Sequence, residues 1–239
     1  MTGECAYCGR VRALTEEHAI PQWLESLCDA QGEYQRVIDG ELVPSGYKRA
    51  TRSVCVECHR WINHTYEEPV QPIITPLVLG EVAVISPSEQ TVIAGWANKV
   101  ALGQAIIDYE ARRVRELCRD FKLSGVPSSR TVVALGAVPP VLNPRAVKWP
   151  NHPVVDEQPP DEAPDVPPSS IRQTVQALHV VMLVEHLPRN SLAKQVSDAH
   201  RLDPRLTLIW PLTGVDVTWP PPILFEEPLQ IAFMSMRRR

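Results

Sequence analysis

No stretch of this 239-residue chain approaches the roughly 18–20 consecutive apolar residues that span a bilayer, and the opening MTGECAYC has no basic start followed by an apolar run. Membrane-spanning and secreted readings are set aside, and a cytoplasmic protein without a membrane partner is expected. Excess positive charge is missing too. With 24 Lys and Arg against 28 Asp and Glu, net −4, the chain is not a polycation built to coat nucleic acid, so any DNA contact must be local. Glycine is sparse, 11 residues against 24 prolines, and no bias marks a fibrous repeat. A hydrophobic fraction of 44% with 22% charged residues argues against global disorder, and the length allows one large domain or two small ones.

What is present is concentrated at the start. Residues 1–64 hold three of the seven histidines and all four paired cysteines, spaced as Cys5-x-x-Cys8 and Cys55-x-x-Cys58. Two such knuckles in a chain without a leader favour a metal over a disulfide framework. They supply four thiolates, the donor set of a structural Zn²⁺, and the long segment between them leaves room for inserted structure. Cys28 and Cys118 read as small buried hydrophobes on helices.

Further along, Trp23, Leu24 and Leu27 predict a short helix over 22–28, and the Gly-containing dipeptides between 29 and 50 predict hairpins. A helix is expected from Cys55 to Glu68, stopping before Pro69. Ser86-Pro87-Ser88-Glu89 has the form of a capping box, opening a helix or helix pair that runs to about Phe121 and ends near Gly125. Short strands follow at 131–135, 178–184, 206–210 and 215–219, each Trp-Pro pair marking a strand end. Residues 139–168, with ten prolines, read as an extended loop.

Inside the insertion lies Glu16-Glu17-His18-Ala19-Ile20-Pro21, and just past the last cysteine come His59 and Asn63, one helical turn apart. If Glu17 and His18 end a strand packed on that helix face, Glu17, His59 and Asn63 can converge on a second metal while His18 points the other way, towards substrate. That division suits phosphodiester hydrolysis, in which a divalent ion stabilises charge on the leaving oxygen and an imidazole takes a proton from the attacking water.

Cys5-x-x-Cys8, then Glu17-His18-x-x-Pro21, then Cys55-x-x-Cys58-His59, resembles the HNH endonuclease family over residues 1–68. The wider arrangement, with Trp96, Lys99 and the late Trp-Pro strands, is similar to HNH proteins of actinobacteria and their phages. The resemblance implies an α+β chain: a zinc-stabilised ββα-metal nuclease module over 1–68, a helical region over 69–125, and a Pro-rich loop with β-rich part over 126–239. It implies that His18 is the general base and Glu17 a metal ligand. Glutamate stands where the family usually has aspartate, and the family's middle asparagine has no counterpart between Lys48 and Val54. The alternative is therefore a non-catalytic zinc module that binds nucleic acid or protein. Mg²⁺, Mn²⁺ or a later transition metal suits an oxygen–imidazole–amide ligand set.

DNA contacts are expected from Lys48, Arg49 and Arg52, and Arg112, Arg113, Arg115 and Arg119 form a second basic group that reads equally well as solvated or paired with nearby acids. Glu67 continues the 59–63 stripe and reads as a solvated acid or an added ligand. His64, His152, His179, His186 and His200 read as surface or structural. A further reading takes the C-terminal part as a partner-binding or dimerisation domain that regulates the nuclease, with a homodimer as one form.

Overall fold

The computed structural model of the chain describes residues 2–27, 33–38, 41–46, 50–109, 111–139, 147–148, 171–187 and 203–226. Its fold is α+β. In chain order it contains β1 (Thr2–Glu4), β2 (Val11–His18), α1 (Gln22–Leu27), β3 (Glu33–Ile38), β4 (Glu41–Gly46), β5 (Ala50–Cys55) and α2 (Val56–Ile62). A π-turn (Asn63–Glu67) leads directly into α3 (Glu68–Val78). Then come β6 (Ala83–Ile85), α4 (Pro87–Tyr109), α5 (Ala111–Ser124), β7 (Thr131–Ala137), β8 (Val147–Lys148), β9 (Ile171–Ala177), β10 (Val180–His186), β11 (Thr207–Trp210) and β12 (Val217–Trp219).

Strands β1, β2 and β5 form a three-stranded antiparallel sheet with β2 at its centre. Pairing of β2 with β5 slips between Thr15–Val54 and Glu17–Thr51, a bulge carried by β5. Bulges re-aim the side chains beside them, and this one lies next to Glu17 and His18.

The helix expected to stop before Pro69 instead continues to Val78, with Pro72 and Pro76 inside it. A proline ring collides with the carbonyl four residues back and removes one donor. Here the turn ahead of Pro69 opens to the wider π spacing, with the Glu68 N–H bonded to the Asn63 carbonyl, and the rod passes through.

Helix α4 opens as expected. The Ser86 N–H donates to Glu89 Oε2 at 2.8 Å, the Glu89 N–H approaches Ser86 Oγ at 3.4 Å, and Pro87 takes the first helical position. The Ser86 hydroxyl and then its N–H hold the Glu89 carboxyl below the ordinary carboxylate range. Ser86→Ala is expected to cost about 1 kcal/mol, read as a lower urea midpoint at unchanged slope. Gly125, at φ 69°, ends α5, its N–H bonded to the Phe121 carbonyl.

A second sheet runs in the order β11-β7-β10-β9-β8-β3-β4. The segment expected as one strand over 178–184 is the second half of a hairpin. Leu178, at φ 45°, and His179 make its turn, and β9 pairs with β10 from Val180–Ala177 to His186–Ile171. His179 Nδ1–H donates to the Val138 carbonyl at 3.0 Å, which locks that turn. His186 is buried beside Thr131; burial, then the Arg130 charge, pushes its pKa down to about 4. Both histidines serve the fold. Trp210 and Trp219 close β11 and β12; Trp149-Pro150 lies outside the described residues, as do Cys28 and 151–168.

One buried core links Cys5, Tyr7 and Ile62 to Trp96, Val100 and Leu102, and on to Met182 and Trp219. Segments 1–68, 69–125 and 126–239 therefore share it. The hairpin of β3 and β4, inserted between β2 and β5, belongs to the large sheet through the parallel pairing of β3 with β8.

Candidate functional site

Two constellations flank α2. At its N-terminus the sulfurs of Cys5, Cys8, Cys55 and Cys58 all lie within 4.8 Å of one another. Four Zn–S bonds of about 2.3 Å define a tetrahedron with edges of about 3.8 Å, and the Cys8–Cys55 separation is 3.8 Å. The knuckle at the chain start is tied by Gly9 N–H to the Cys5 carbonyl at 2.9 Å, and the Cys55 N–H donates to Cys5 Sγ at 3.3 Å. Gly9 sits at φ 68°, a left-handed conformation that glycine adopts without strain, and the Arg119 guanidinium lies in the space a Cβ would take. Burial, then the charge of Cys5 and contact with Cys55, pushes the Cys58 thiol up. Such a sulfur stays protonated until a cation enters, and a bound cation removes the proton. Lys122, held 3.7 Å over the Trp61 ring, places positive charge near all four sulfurs. The cluster is thus able to hold a metal such as zinc.

The second constellation lies one turn further along. Alternation along β2 turns Glu17 inward, where it is 4% exposed, and His18 to the opposite side. His59 Nδ1–H donates to Glu17 Oε2 at 2.5 Å, and the Asn63 amide reaches His59 Nε2 at 3.3 Å. The three expected ligands touch in series, but Glu17 meets the Nδ1 side of the ring and Asn63 the Nε2 side. Glu17 and His59 are thus brought together, while Asn63 does not converge with Glu17 on one point. His18 is part-exposed, its Nε2 lying 3.4 Å from the Gln22 amide nitrogen.

Beneath Glu17 is an element that sequence reading left without a role. Lys99 of α4, 2% exposed, spends its three protons on Glu17 Oε1 at 2.9 Å, Glu67 Oε1 at 2.8 Å and the His18 carbonyl at 3.0 Å. Glu67 is not a solvated acid. Its other oxygen accepts from the indoles of Trp23 at 2.8 Å and Trp96 at 3.2 Å. Burial alone would push the Lys99 ammonium down; the charges of Glu67 and then Glu17 outweigh it and hold its pKa above the ordinary lysine value. The signal was available. Val92, Trp96, Lys99 and Gly103 recur at core spacing on α4, and a lysine on an apolar stripe requires a buried partner.

No family model, curated protein or solved structure matches the chain. Its chemistry must be read from its own residues.

The four-cysteine cluster is, among the described residues, the one group of three or more His, Cys, Asp and Glu side chains close enough together to hold a metal. A second ion would rest on one carboxylate, one imidazole and one amide. The buried charges fit that use: two carboxylates face one ammonium, which leaves an excess negative charge beside Glu17 Oε2 and His59.

The basic residues divide. Arg52 is exposed and lies 3.8 Å from Glu16, while Lys48 and Arg49 lie outside the described residues. Arg115 and Arg119 both pair with Glu4, at 2.6 and 2.8 Å, and so tie α5 to β1. The side chains of Arg112 and Arg113 lie outside the described part. Among the described residues, no helix is long and apolar enough to cross a membrane.

Proposed function

We propose that the chain is a metal-dependent endonuclease of the HNH kind that hydrolyses DNA phosphodiester bonds. The observation that carries this reading is the contact of Glu17 with His59, one turn before Asn63, with His18 on the other side of the same strand. The succession of β2, β5 and α2 as strand, strand and helix, joined at its base by the cysteine cluster, supports it.

Glu17 Oε2 and His59 would hold the divalent ion, Mg²⁺, Mn²⁺ or a later transition metal, and the Asn63 amide oxygen would join them once its side chain leaves the Nε2 side of the ring. When bound, that ion supplies Lewis-acid stabilisation of the developing charge on the 3′ oxygen. His18 takes the proton of the water that attacks phosphorus. The Gln22 amide N–H can only donate, so the Nε2 it approaches carries the lone pair and the neutral ring holds its hydrogen on Nδ1. Nε2 is the atom that takes the proton as the Gln22 contact gives way, and solvent protonates the departing 3′ oxygen. As the new P–O bond forms, the bond to the 3′ oxygen breaks, leaving a 5′-phosphate and a 3′-hydroxyl. A zinc on the four cysteines would tie the turn between β1 and β2 to the end of β5 and the first turn of α2 and would take no part in the chemistry, while exposed Arg52 faces the polyanion.

Supercoiled plasmid with Mg²⁺ or Mn²⁺ tests the reading directly. Wild type is expected to nick or linearise it, and His18→Ala to be slower by about 10²–10⁴-fold. Cleavage undiminished in His18→Ala would refute the mechanism.

A second reading, a zinc module that binds nucleic acid or protein without cutting, is favoured by one observation. Glu17, His59, Asn63 and Lys99 already satisfy one another by hydrogen bonds and ion pairs. Metal analysis separates the two: the nuclease takes up a second divalent ion beyond the zinc, the binding module only one.

A further inference from the structure

Lys99 has more to do than balance charge. Its three acceptors are the carboxylate of Glu17, the carboxylate of Glu67 and the backbone oxygen of His18, so one buried ammonium fixes both the proposed ligand and the strand position of the proposed base. It reaches Glu17 through Oε1, the oxygen turned away from His59, and leaves only Oε2 facing the imidazole. Glu67 in turn cannot let the lysine go. Two indole N–H groups anchor the far oxygen of Glu67, and Trp23 and Trp96 pack on each other with ring centroids 5.9 Å apart.

We propose that Lys99 is a specificity-determining positioning residue: by occupying Glu17 Oε1 it restricts Glu17 to a single coordinating oxygen and so biases the site against calcium, in favour of smaller, imidazole-preferring divalent cations. This inference rests on the nuclease reading of the same site. Its physical basis is the difference between the ions. Calcium collects six to eight oxygens at about 2.3–2.6 Å and commonly uses both oxygens of a carboxylate. Manganese and the later divalent metals accept an imidazole readily and are satisfied with one carboxylate oxygen. A carboxylate clamped on one side by an ammonium cannot chelate.

The experiment uses the full-length, zinc-loaded chain and measures Mn²⁺ binding by the loss of the free-ion electron paramagnetic resonance signal, with Ca²⁺ as competitor. The informative variant is Lys99→Met combined with Glu67→Gln. Wild type carries two carboxylates and one ammonium here, and the double variant one carboxylate, so the buried net charge stays at −1 while Glu17 is released. The amide oxygen at position 67 still accepts from both indoles. Wild type is expected to prefer Mn²⁺, and the ratio of Mn²⁺ to Ca²⁺ affinity is expected to fall at least tenfold in the double variant, chiefly through tighter Ca²⁺ binding. A merely structural lysine would weaken both ions together and leave the ratio unchanged, which overturns the inference.

A measurement on wild type covers the case in which the double variant does not fold. The infrared difference spectrum on Mn²⁺ addition should show a carboxylate bound through one oxygen, in a band absent from Glu17→Gln; a chelating carboxylate band overturns the inference. His59→Ala distinguishes the two levels of failure. Mn²⁺ uptake lost in His59→Ala, with an unchanged ion ratio in the double variant, removes this inference alone. Absence of Mn²⁺ uptake by wild type, or uptake indifferent to His59→Ala, removes the nuclease reading and this inference with it.

Discussion

Cys58→Ser is expected to empty the cysteine cluster, taking bound zinc from about one ion per chain to none by elemental analysis, and to unfold the start of the chain. Four sulfurs within 4.8 Å of one another join residues near position 5 to residues near position 55, and the cluster closes the sheet of β1, β2 and β5 onto the first turn of α2. Without the ion, the start of the chain is held by the three-residue pairing of β1 with β2, the two arginine contacts to Glu4, the Ala6 N–H bond to the Ser53 carbonyl and the burial of Tyr7. Apparent zinc-binding free energies in small modules run to about 10–16 kcal/mol, and this energy is folding energy because the unfolded chain has no site. Even about 4 kcal/mol of it would lower the melting temperature of a chain this long by about 8–16 °C. A chelator should reproduce the shift in wild type and add nothing in the variant. Equal melting temperatures for variant and wild type, at equal zinc content, would refute the assignment.

The second large effect belongs to Lys99→Met. Removing one partner of a buried ion cluster leaves uncompensated charge, and such losses run to about 3–5 kcal/mol. Glu17 and Glu67 are 4% and 9% exposed, so water cannot replace the ammonium without opening the core. Urea unfolding should show this loss, and adding Glu67→Gln should recover a substantial part of it, since the two residues touch and their effects do not add. Strict additivity would contradict the network. The pH dependence has a definite sign. The folded-state pKa of Lys99 lies above the ordinary lysine value, so its contribution is whole below about pH 10.4 and declines as the pH rises through the folded value. Alkali, not neutral buffer, should erase the difference between wild type and Lys99→Met.

Local chemistry made part of this structure legible in advance. Ser86-Pro87-Ser88-Glu89 announced the start of α4 because every group in a capping box lies within four residues of the others. The two cysteine knuckles announced a metal cluster because thiolate spacing is a local constraint. The place of Glu17 against His59 followed from two short-range rules, strand alternation and the four-residue helical turn. What remained hidden depends on distant partners. Pro69 reads as a helix stop until the π-turn before it is seen, and the packing of Val70, Ile74 and Leu77 into the core favours continuing the rod. Leu178 gives no turn signal because leucine rarely adopts positive φ; the hydrogen bonds of His179 to Val78 and Val138 hold it there. Glu67 looked like a surface acid because its three partners lie on α1 and α4, elements that nothing in the sequence places beside it.

The inserted hairpin carries a consequence for how the protein is made. Strand β3 leaves the neighbourhood of the site and pairs in parallel with β8, Gln35 beside Val147, and β8 in turn pairs with β9. A nascent chain emerges at about 5–20 residues per second, so the edge of β3 stays open for several seconds after both cysteine knuckles have left the ribosome. Parallel pairing over so long a separation is also slow to close. The cysteine cluster can therefore close well before the hairpin beside it finds its sheet, and a metal held there would be an earlier anchor for the start of the chain than the sheet.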